Sequence, residues 1–462
     1  APRESTTGLT AAPLVAARFP DGTAAASDSA VTAPDLAWDR FFTDARLQTL
    51  IRLALYHNRD LRVAALNVEQ ARAQAVIRDA DLWPTVNAGV GGTRVLTNTG
   101  GLSTTVTVGL STTAYELDLF GRVRQQAQAA QEQLRASEFL RSAAQSSLIA
   151  AVAAAYVNLQ ADAALLHITR ETVRSREEGL QVVQGRVKAG AGSALDEAQA
   201  QSLLQAARAA LAQVQRQTAL DESSLVLLVG QPLPAEWRVL GADAAGSASW
   251  ASTAAPALRA ELPSAVLARR PDIGATEAQL RAAQANVEAA RKALYPRISL
   301  TASFGQASRD LSSLFAGGTW LWGVAPQLLV PIFDAGRVRA GVDQATAAQQ
   351  SALAQYEKAV QAAFKEVHDA LVSRSTLVDQ QQALQAQVQA ESERLRLAQT
   401  RWRLGASAYL EVLDAQRSLY AAQTALVQTQ AQVLINQATL YKALGGGAGA
   451  TATGSSLEPV AR

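Results

Sequence analysis

Apolar positions along this chain change their period in the same order in each half. After Leu82-Trp83-Pro84, Val86, Ala88 and Val90 alternate with Thr85, Asn87 and Gly89, and past Gly100-Gly101 alternation resumes at Val106, Val108 and Leu110. After Leu294-Tyr295-Pro296, Ile298, Leu300, Ala302 and Phe304 alternate with Arg297, Ser299, Thr301 and Ser303. Trp320 and Trp322 then share one face of a further strand ending near Pro331. Period two marks a strand with one apolar and one polar face. The pattern predicts four strands in two hairpins, over about 84–118 and 296–332.

Beyond each hairpin the period changes to that of a helix. Val123, Ala127, Ala130, Leu134, Leu148, Val152, Ala155, Leu159, Leu166, Val173, Leu180, Val183 and Val187 recur at steps of three, four or seven, a coiled-coil-like seam. No proline interrupts Pro84 to Pro232 or Pro331 to Pro459, and glycine is absent from Val342 to Leu404. A helix over roughly 121–188 would be on the order of 100 Å long at about 1.5 Å per residue. Gly190 and Gly405 follow the long helical patterns and are suited to left-handed C-caps. Return helices then run to about Leu228 and Leu444, so each half carries a hairpin of long antiparallel helices.

The halves are copies. Gly121-Arg122-Val123-Arg124 returns as Gly336-Arg337-Val338-Arg339, and Arg186-Val187-Lys188-Ala189-Gly190-Ala191 returns as Arg401-Trp402-Arg403-Leu404-Gly405-Ala406, both at an offset of 215. Solenoid periods are about 20–50 residues, so this is a duplicated half-protein. The repeats span 35–229 and 265–445, joined by a linker over 230–264 that holds Pro232, Pro234, Trp237 and Trp250. Residues 1–34 and 446–462, rich in Ala, Thr, Ser and Gly, are expected to be extended or flexible tails.

Composition removes several function classes. With 42 basic and 40 acidic side chains there is no strong field for nucleic acid or an anionic membrane surface. No cysteine is present, which removes disulfides, thiolate catalysis and cysteine-based metal sites. His57, His167 and His368 lack metal-ligand spacing, no P-loop or GxSxG elbow occurs, and the Gly91-Gly92, Gly100-Gly101 and Gly317-Gly318 pairs fit hairpin turns. The expectation is a protein that is not an enzyme and has no cofactor or metal. Methionine is also absent and no signal-peptide pattern opens the chain, as expected of a processed form. No uninterrupted apolar run approaches 20 residues, but a barrel strand needs only about 9–11. Four strands cannot close a barrel, since the smallest use about eight. Three copies would supply twelve strands and twelve helical rods.

Five segments carry a resemblance: Leu267-Ala268-Arg269-Arg270-Pro271-Asp272-Ile273; Ala293-Leu294-Tyr295-Pro296-Arg297-Ile298-Ser299-Leu300; Val330-Pro331-Ile332-Phe333-Asp334-Ala335-Gly336-Arg337; Tyr409-Leu410-Glu411-Val412-Leu413-Asp414-Ala415-Gln416-Arg417; and Leu440-Tyr441-Lys442-Ala443-Leu444-Gly445-Gly446. In this order they resemble the outer membrane factors, the TolC-like channels, in wording nearest the lipoprotein branch that serves resistance-nodulation-division (RND) efflux pumps. The resemblance covers roughly residues 35–446. It implies a mainly α fold with a β-barrel part: a homotrimer with a twelve-stranded barrel among outer membrane lipids and a periplasmic helical tunnel. Its helical tips, at Gly190 and Gly405, would meet a periplasmic adaptor protein and, through it, an inner-membrane RND-type pump. The 230–264 linker and the tails would contribute to an equatorial belt. Members of that branch begin with an acylated cysteine, whereas this chain opens Ala1-Pro2-Arg3; a lipid anchor is expected only if its cysteine has been removed or lies outside the chain.

The resemblance also marks a gate. Leu410, Asp414 and Arg417 match tunnel-constriction positions, and Leu195 with Asp196 match the neighbouring helix start, beside Glu411. Three-fold symmetry would make each carboxylate a ring with cation preference. Leu410 would be an apolar plug, and Arg417 would tie Asp414 down in the closed state. The alternative for these acids is ordinary stabilisation of a helix's first turn through its macrodipole. The Tyr and Arg latch of the family's secretion-tunnel member is not carried over, because Trp402 and Ser407 stand there. Trp83, Tyr295, Trp320 and Trp322 suit a membrane-interface girdle, with core packing the alternative for Trp83. The expected function is a passive outer membrane exit duct for drugs or small toxic compounds. A duct for secreted polypeptides, and a structural coiled-coil assembly without a channel, stay open beside it.

Overall fold

A computed structural model describes residues 37–96, 101–234, 267, 269–315 and 318–446. The 1–34 segment, most of the linker with Trp237 and Trp250, and the tail beyond Gly446 lie outside the described residues. In chain order the elements are α1 (Trp38–Phe41), α2 (Ala45–His57), α3 (Arg59–Ala80), β1 (Asn87–Leu96), β2 (Leu102–Leu117), α4 (Arg122–Lys188), α5 (Ala194–Val229), α6 (Pro271–Lys292), β3 (Arg297–Ser308), β4 (Trp320–Leu329), α7 (Arg337–Arg403) and α8 (Tyr409–Ala443). Both α4 and α7 have 67 residues, and they start and stop at the 215 offset. α3 and α6, both of 22 residues, are related by 212 instead. The halves therefore differ by three residues within the hairpins, and the long helices absorb no change.

Two compact units are built from these elements. One contains the sheet, most of α3 and α6, and the N-terminal parts of α4 and α7. The two predicted hairpins join into one antiparallel sheet in the order β1-β2-β3-β4. Its register gathers the alternating apolar residues onto a single face: Val90 opposes Val108, Leu110 opposes Phe304, Phe304 opposes Trp322, and Ile298 opposes Leu328. Val90, Leu110, Phe304, Trp322, Val324 and Leu328 are all exposed. A sheet normally buries its apolar face; here no described residue covers it. Gly109 and Gly305 face each other across β2 and β3, where a Cβ on Gly305 would stand 2.2 Å from the Val108 carbonyl oxygen.

The other unit holds α1, α2, α5, α8 and the C-terminal parts of α4 and α7. Leu159, Leu166, Leu180 and Val183 of the predicted seam are buried there. Val157 and Ala161 pack on Val427 and Ala431 of α8. α4 also has one 18-residue window apolar enough, by length and composition, to cross a membrane, but 56% of that window is buried within the protein. The Arg269-Arg270-Pro271-Asp272 segment acts here as a clasp. Arg270 is buried and donates to the Ala443 carbonyl at 2.9 Å and to Glu366 at 2.7 Å, fixing the end of α8 against α7.

Candidate functional site

Gly190 and Gly405 end the long helices with the same device. Their φ values are +74° and +73°. Ala191 N–H donates to Arg186 O at 2.9 Å and Gly190 N–H to Val187 O at 3.0 Å, while Ala406 and Gly405 bond Arg401 O and Trp402 O in the same way. This paired pattern is the Schellman cap, which requires the left-handed residue that glycine supplies most readily. The next helices start differently. Ser193 caps α5, its hydroxyl accepting from Leu195 N–H at 3.1 Å, whereas Ala408 offers α8 no side-chain cap.

All four long helices share a core at the tips. Leu180 and Val183 of α4, Ala200 and Leu204 of α5, Ala398 of α7, and Tyr409, Val412, Leu413 and Ala415 of α8 are buried together. Tyr409 enters because position 179 is glycine: a Cβ there would lie 2.5 Å from the Tyr409 hydroxyl oxygen. Burial raises the Tyr409 phenol above the usual tyrosine range. Trp402 packs at 4.8 Å on Tyr409, and the Arg186 guanidinium sits 5.1 Å from the Trp402 ring centroid. The residues aligned with the secretion-tunnel latch therefore do something else here: Trp402 packs between Arg186 and a tilted Tyr409 ring, and the Ser407 hydroxyl is sealed without a partner.

The predicted constriction residues fall in two groups around this core. Leu410 and Leu195 stand out from it, 56% and 65% exposed, as apolar side chains on the surface of the protomer. Asp414 carries the charge network. It accepts from Arg417 at 2.7 Å, the i+3 pair expected from the sequence, and also from Arg394 of α7 at 2.5 Å. Arg394 is held in addition by Glu391 at 3.1 Å and donates to Ser418 at 3.3 Å. The Arg394 hydrogen bond is the main cause that keeps the Asp414 carboxyl below the usual carboxylate range; it outweighs desolvation, and the charges of Arg394 and Arg417 add to it.

Position separates the two readings of the acids. Asp196 and Glu411 lie in the first turns of α5 and α8, where the macrodipole favours them. Asp414 is the sixth residue of α8, beyond that turn. Glu411 has in addition a long contact to Arg401, 3.7 Å. Arg394 was the functional candidate missed from sequence, although the repeat contained its signal. At the 215 offset Arg394, Asp414 and Arg417 correspond to Gly179, Gln199 and Ser202, so the first half lacks the whole triad. The aromatic candidates lie in the other unit. Trp83, Trp320 and Trp322 are 73%, 65% and 75% exposed, which removes core packing within the protomer as the account of Trp83. Tyr295 stacks on Phe120 at 5.1 Å. Among the described residues no three His, Asp or Glu side chains converge as a metal site would require.

A family model of outer membrane efflux proteins matches residues 50–231 and 262–446. The chain is 43% identical over 443 residues to the toluene efflux pump outer membrane protein TtgC of Pseudomonas putida, covering 94% of this chain and 90% of that protein. It is 40% identical over 435 residues to the outer membrane protein OprJ of Pseudomonas aeruginosa, covering 92% and 89%. The crystal structure of the open state of the Neisseria gonorrhoeae MtrE outer membrane channel is similar at a TM-score of 0.84 and 38% identity, covering 94% of this chain and 96% of that one. With the twice-repeated helical hairpin, the uncovered apolar sheet and the charged tip on one chain, these matches make it a member of the outer membrane efflux protein family, an efflux channel protein of the outer membrane.

Proposed function

We propose that three copies of this chain close one twelve-stranded barrel in the outer membrane and one helical tunnel in the periplasm, forming a passive duct that opens and shuts at the helical tips. The sheet carries this reading: four strands of 10 to 16 residues with free outer edges and one uncovered apolar face. Each strand is long enough to span a bilayer, and an apolar face without protein cover is what lipid requires. Four strands leave edges that only other copies can pair. In this assembly Trp83, Tyr295, Trp320 and Trp322 are interfacial anchors. Energy is supplied elsewhere, by an inner-membrane pump linked through an adaptor at the Gly190 and Gly405 tips. Small toxic compounds are the cargo class, by analogy with the efflux relatives.

Within the duct, Asp414 is the gate charge. Bonding by Arg394 and Arg417 offsets the mutual repulsion of a carboxylate ring and holds α8 to α7. Loss of these bonds lets the ring repel and the tips part. Leu410 and Leu195 add an apolar constriction. The test is single-channel recording in planar bilayers with Asp414→Ala, Arg394→Gln and, as a shaft control, Glu171→Ala. Arg394→Gln should raise conductance or open probability, and Asp414→Ala should reduce cation preference, while Glu171→Ala leaves both near wild type. Equal effects from Asp414→Ala and Glu171→Ala would refute the gate assignment. A protein that stays a water-soluble monomer without detergent would refute the barrel.

A further inference from the structure

A cavity of about 330 Å³ opens between α4 and α8 beside Leu395 of α7, within the tip-bearing unit. Its unusual feature is Arg176, a cation 7% exposed that forms no ion pair with any carboxylate among the described residues. Nη1 donates to the Leu203 carbonyl at 2.6 Å, and Nε is sealed from solvent without an acceptor. Nη2 also lacks an acceptor but is not sealed. The nearby acids are engaged elsewhere: Glu171, on the cavity wall, is paired with Arg174, and Glu177 with Arg208 at 2.7 Å. Burial draws the guanidinium below the usual arginine range, and the Tyr420 oxygen is the group acting the other way. A buried cation without its counter-ion is unfavourable, so such a site favours an anion.

The remaining polar groups decide what anion fits. The Thr172 hydroxyl is spent on Ile168 O at 2.8 Å, and Thr169 donates to Leu165 O, so Tyr420 must donate to Thr169 across their 3.1 Å contact. Ser175 accepts from Gln416 Nε2 at 3.3 Å and keeps its own proton to give, while the same amide's Oε1 is sealed without a donor. Two donors are thus open, Arg176 Nη2 and Ser175 Oγ, both on one face of α4. Ile168, Leu395 and Leu419 supply apolar wall, and His167 stands at the lining as a further titratable group. The volume is at the lower end for a small-molecule site. The second repeat has no equivalent, since Arg176 corresponds to Glu391, which Arg394 neutralises.

We propose that this cavity binds a small organic carboxylate, its oxygens held by Arg176 Nη2 and Ser175 Oγ and its apolar body lying against Ile168, Leu395 and Leu419. This binding does not depend on the gate reading, although the lining residues Leu395 and Gln416 are chain neighbours of Arg394 and Arg417. The test is titration calorimetry on the detergent-solubilised full chain with benzoate, and with benzyl alcohol as the neutral counterpart. Benzoate should bind and benzyl alcohol should bind at least tenfold more weakly, the loss expected for a charge-assisted bond. Arg176→Gln should remove the preference, and the gentler Ser175→Ala should weaken benzoate binding with the thermal midpoint unchanged. Equal binding of the two probes, or benzoate affinity unchanged in both variants, would overturn the proposal. So would a wild type that ignores benzoate together with an Arg176→Gln protein that loses its oligomer, because the counter-ion would then be a carboxylate of another copy.

Discussion

Tyr409 can be buried at the tip only because α4 has no side chain at position 179, and this makes a quantitative prediction. In Gly179→Ala the new Cβ would lie 2.5 Å from the Tyr409 hydroxyl oxygen, inside any real contact, but 3.8 Å from the ring carbon that bears it. Overpacking of this kind costs about 1–3 kcal/mol. Replacing a helical glycine by alanine returns about 0.5–1 kcal/mol, so the tip should lose roughly 1–2 kcal/mol. Tyr409→Phe removes the colliding oxygen and leaves the ordinary 3.8 Å contact. In that background Gly179→Ala should be neutral or stabilising. The difference between backgrounds is then roughly 2 kcal/mol, about 30-fold in a local opening equilibrium. Amide hydrogen exchange over Val412 and Leu413, buried in the same core, reads that opening directly. If Gly179→Ala shifts exchange equally with and without the Tyr409 hydroxyl, the contact does not constrain the tip and the reasoning fails.

Other consequences can be checked with simple variants. Gly405→Ala forces alanine to a φ of +73° and should cost about 1–2 kcal/mol at the tip, whereas Gly185→Ala, in the helix interior with no atom within 4 Å of the new Cβ, should gain about 0.5–1 kcal/mol; exchange rates in the two proteins should move in opposite directions. Asp162 is buried on α4, and burial first, then the adjacent Asp221 of α5, raise its carboxyl to about 7 from 3.8. The folded state therefore keeps a proton that the unfolded state has lost, so stability should fall as pH rises from about 4 to 7, by at most roughly 1.4 kcal/mol per unit in each protomer. Thermal midpoints across that range should decline in wild type and flatten in Asp162→Asn; a wild-type midpoint that rises from pH 4 to 7 would reverse the assignment.

Much of the architecture was legible because it rests on local periodicity. Alternation over Ile298 to Phe304 located β3, and the helical-period seam ahead of Gly190 placed α4 close to its observed Arg122–Lys188. Gly190 and Gly405 announced the tips, since a left-handed cap depends on backbone sterics that one residue type relieves. The joining of the two hairpins through β2 and β3 was not legible, because alternation states which face a residue occupies and not which strand lies beside it. Among the tip charges, Arg417 was singled out with Asp414 by the family resemblance, and helical spacing then predicted their i+3 pairing. Arg394 lies twenty positions earlier on another helix, where spacing carries no information.

By itself the sequence determined the duplication, the element types, the helix lengths and the position of the tips, all of which follow from periodicity and single-residue backbone preferences. Tertiary structure alone decided that Arg394 meets Asp414, that Trp402 lies between Arg186 and Tyr409, and that Arg176 is buried without an ion pair among the described residues. Those outcomes depend on the axial register between separate helices. That register is set by how a few side chains interlock, such as Tyr409 over Gly179, and a shift of one turn would exchange every partner.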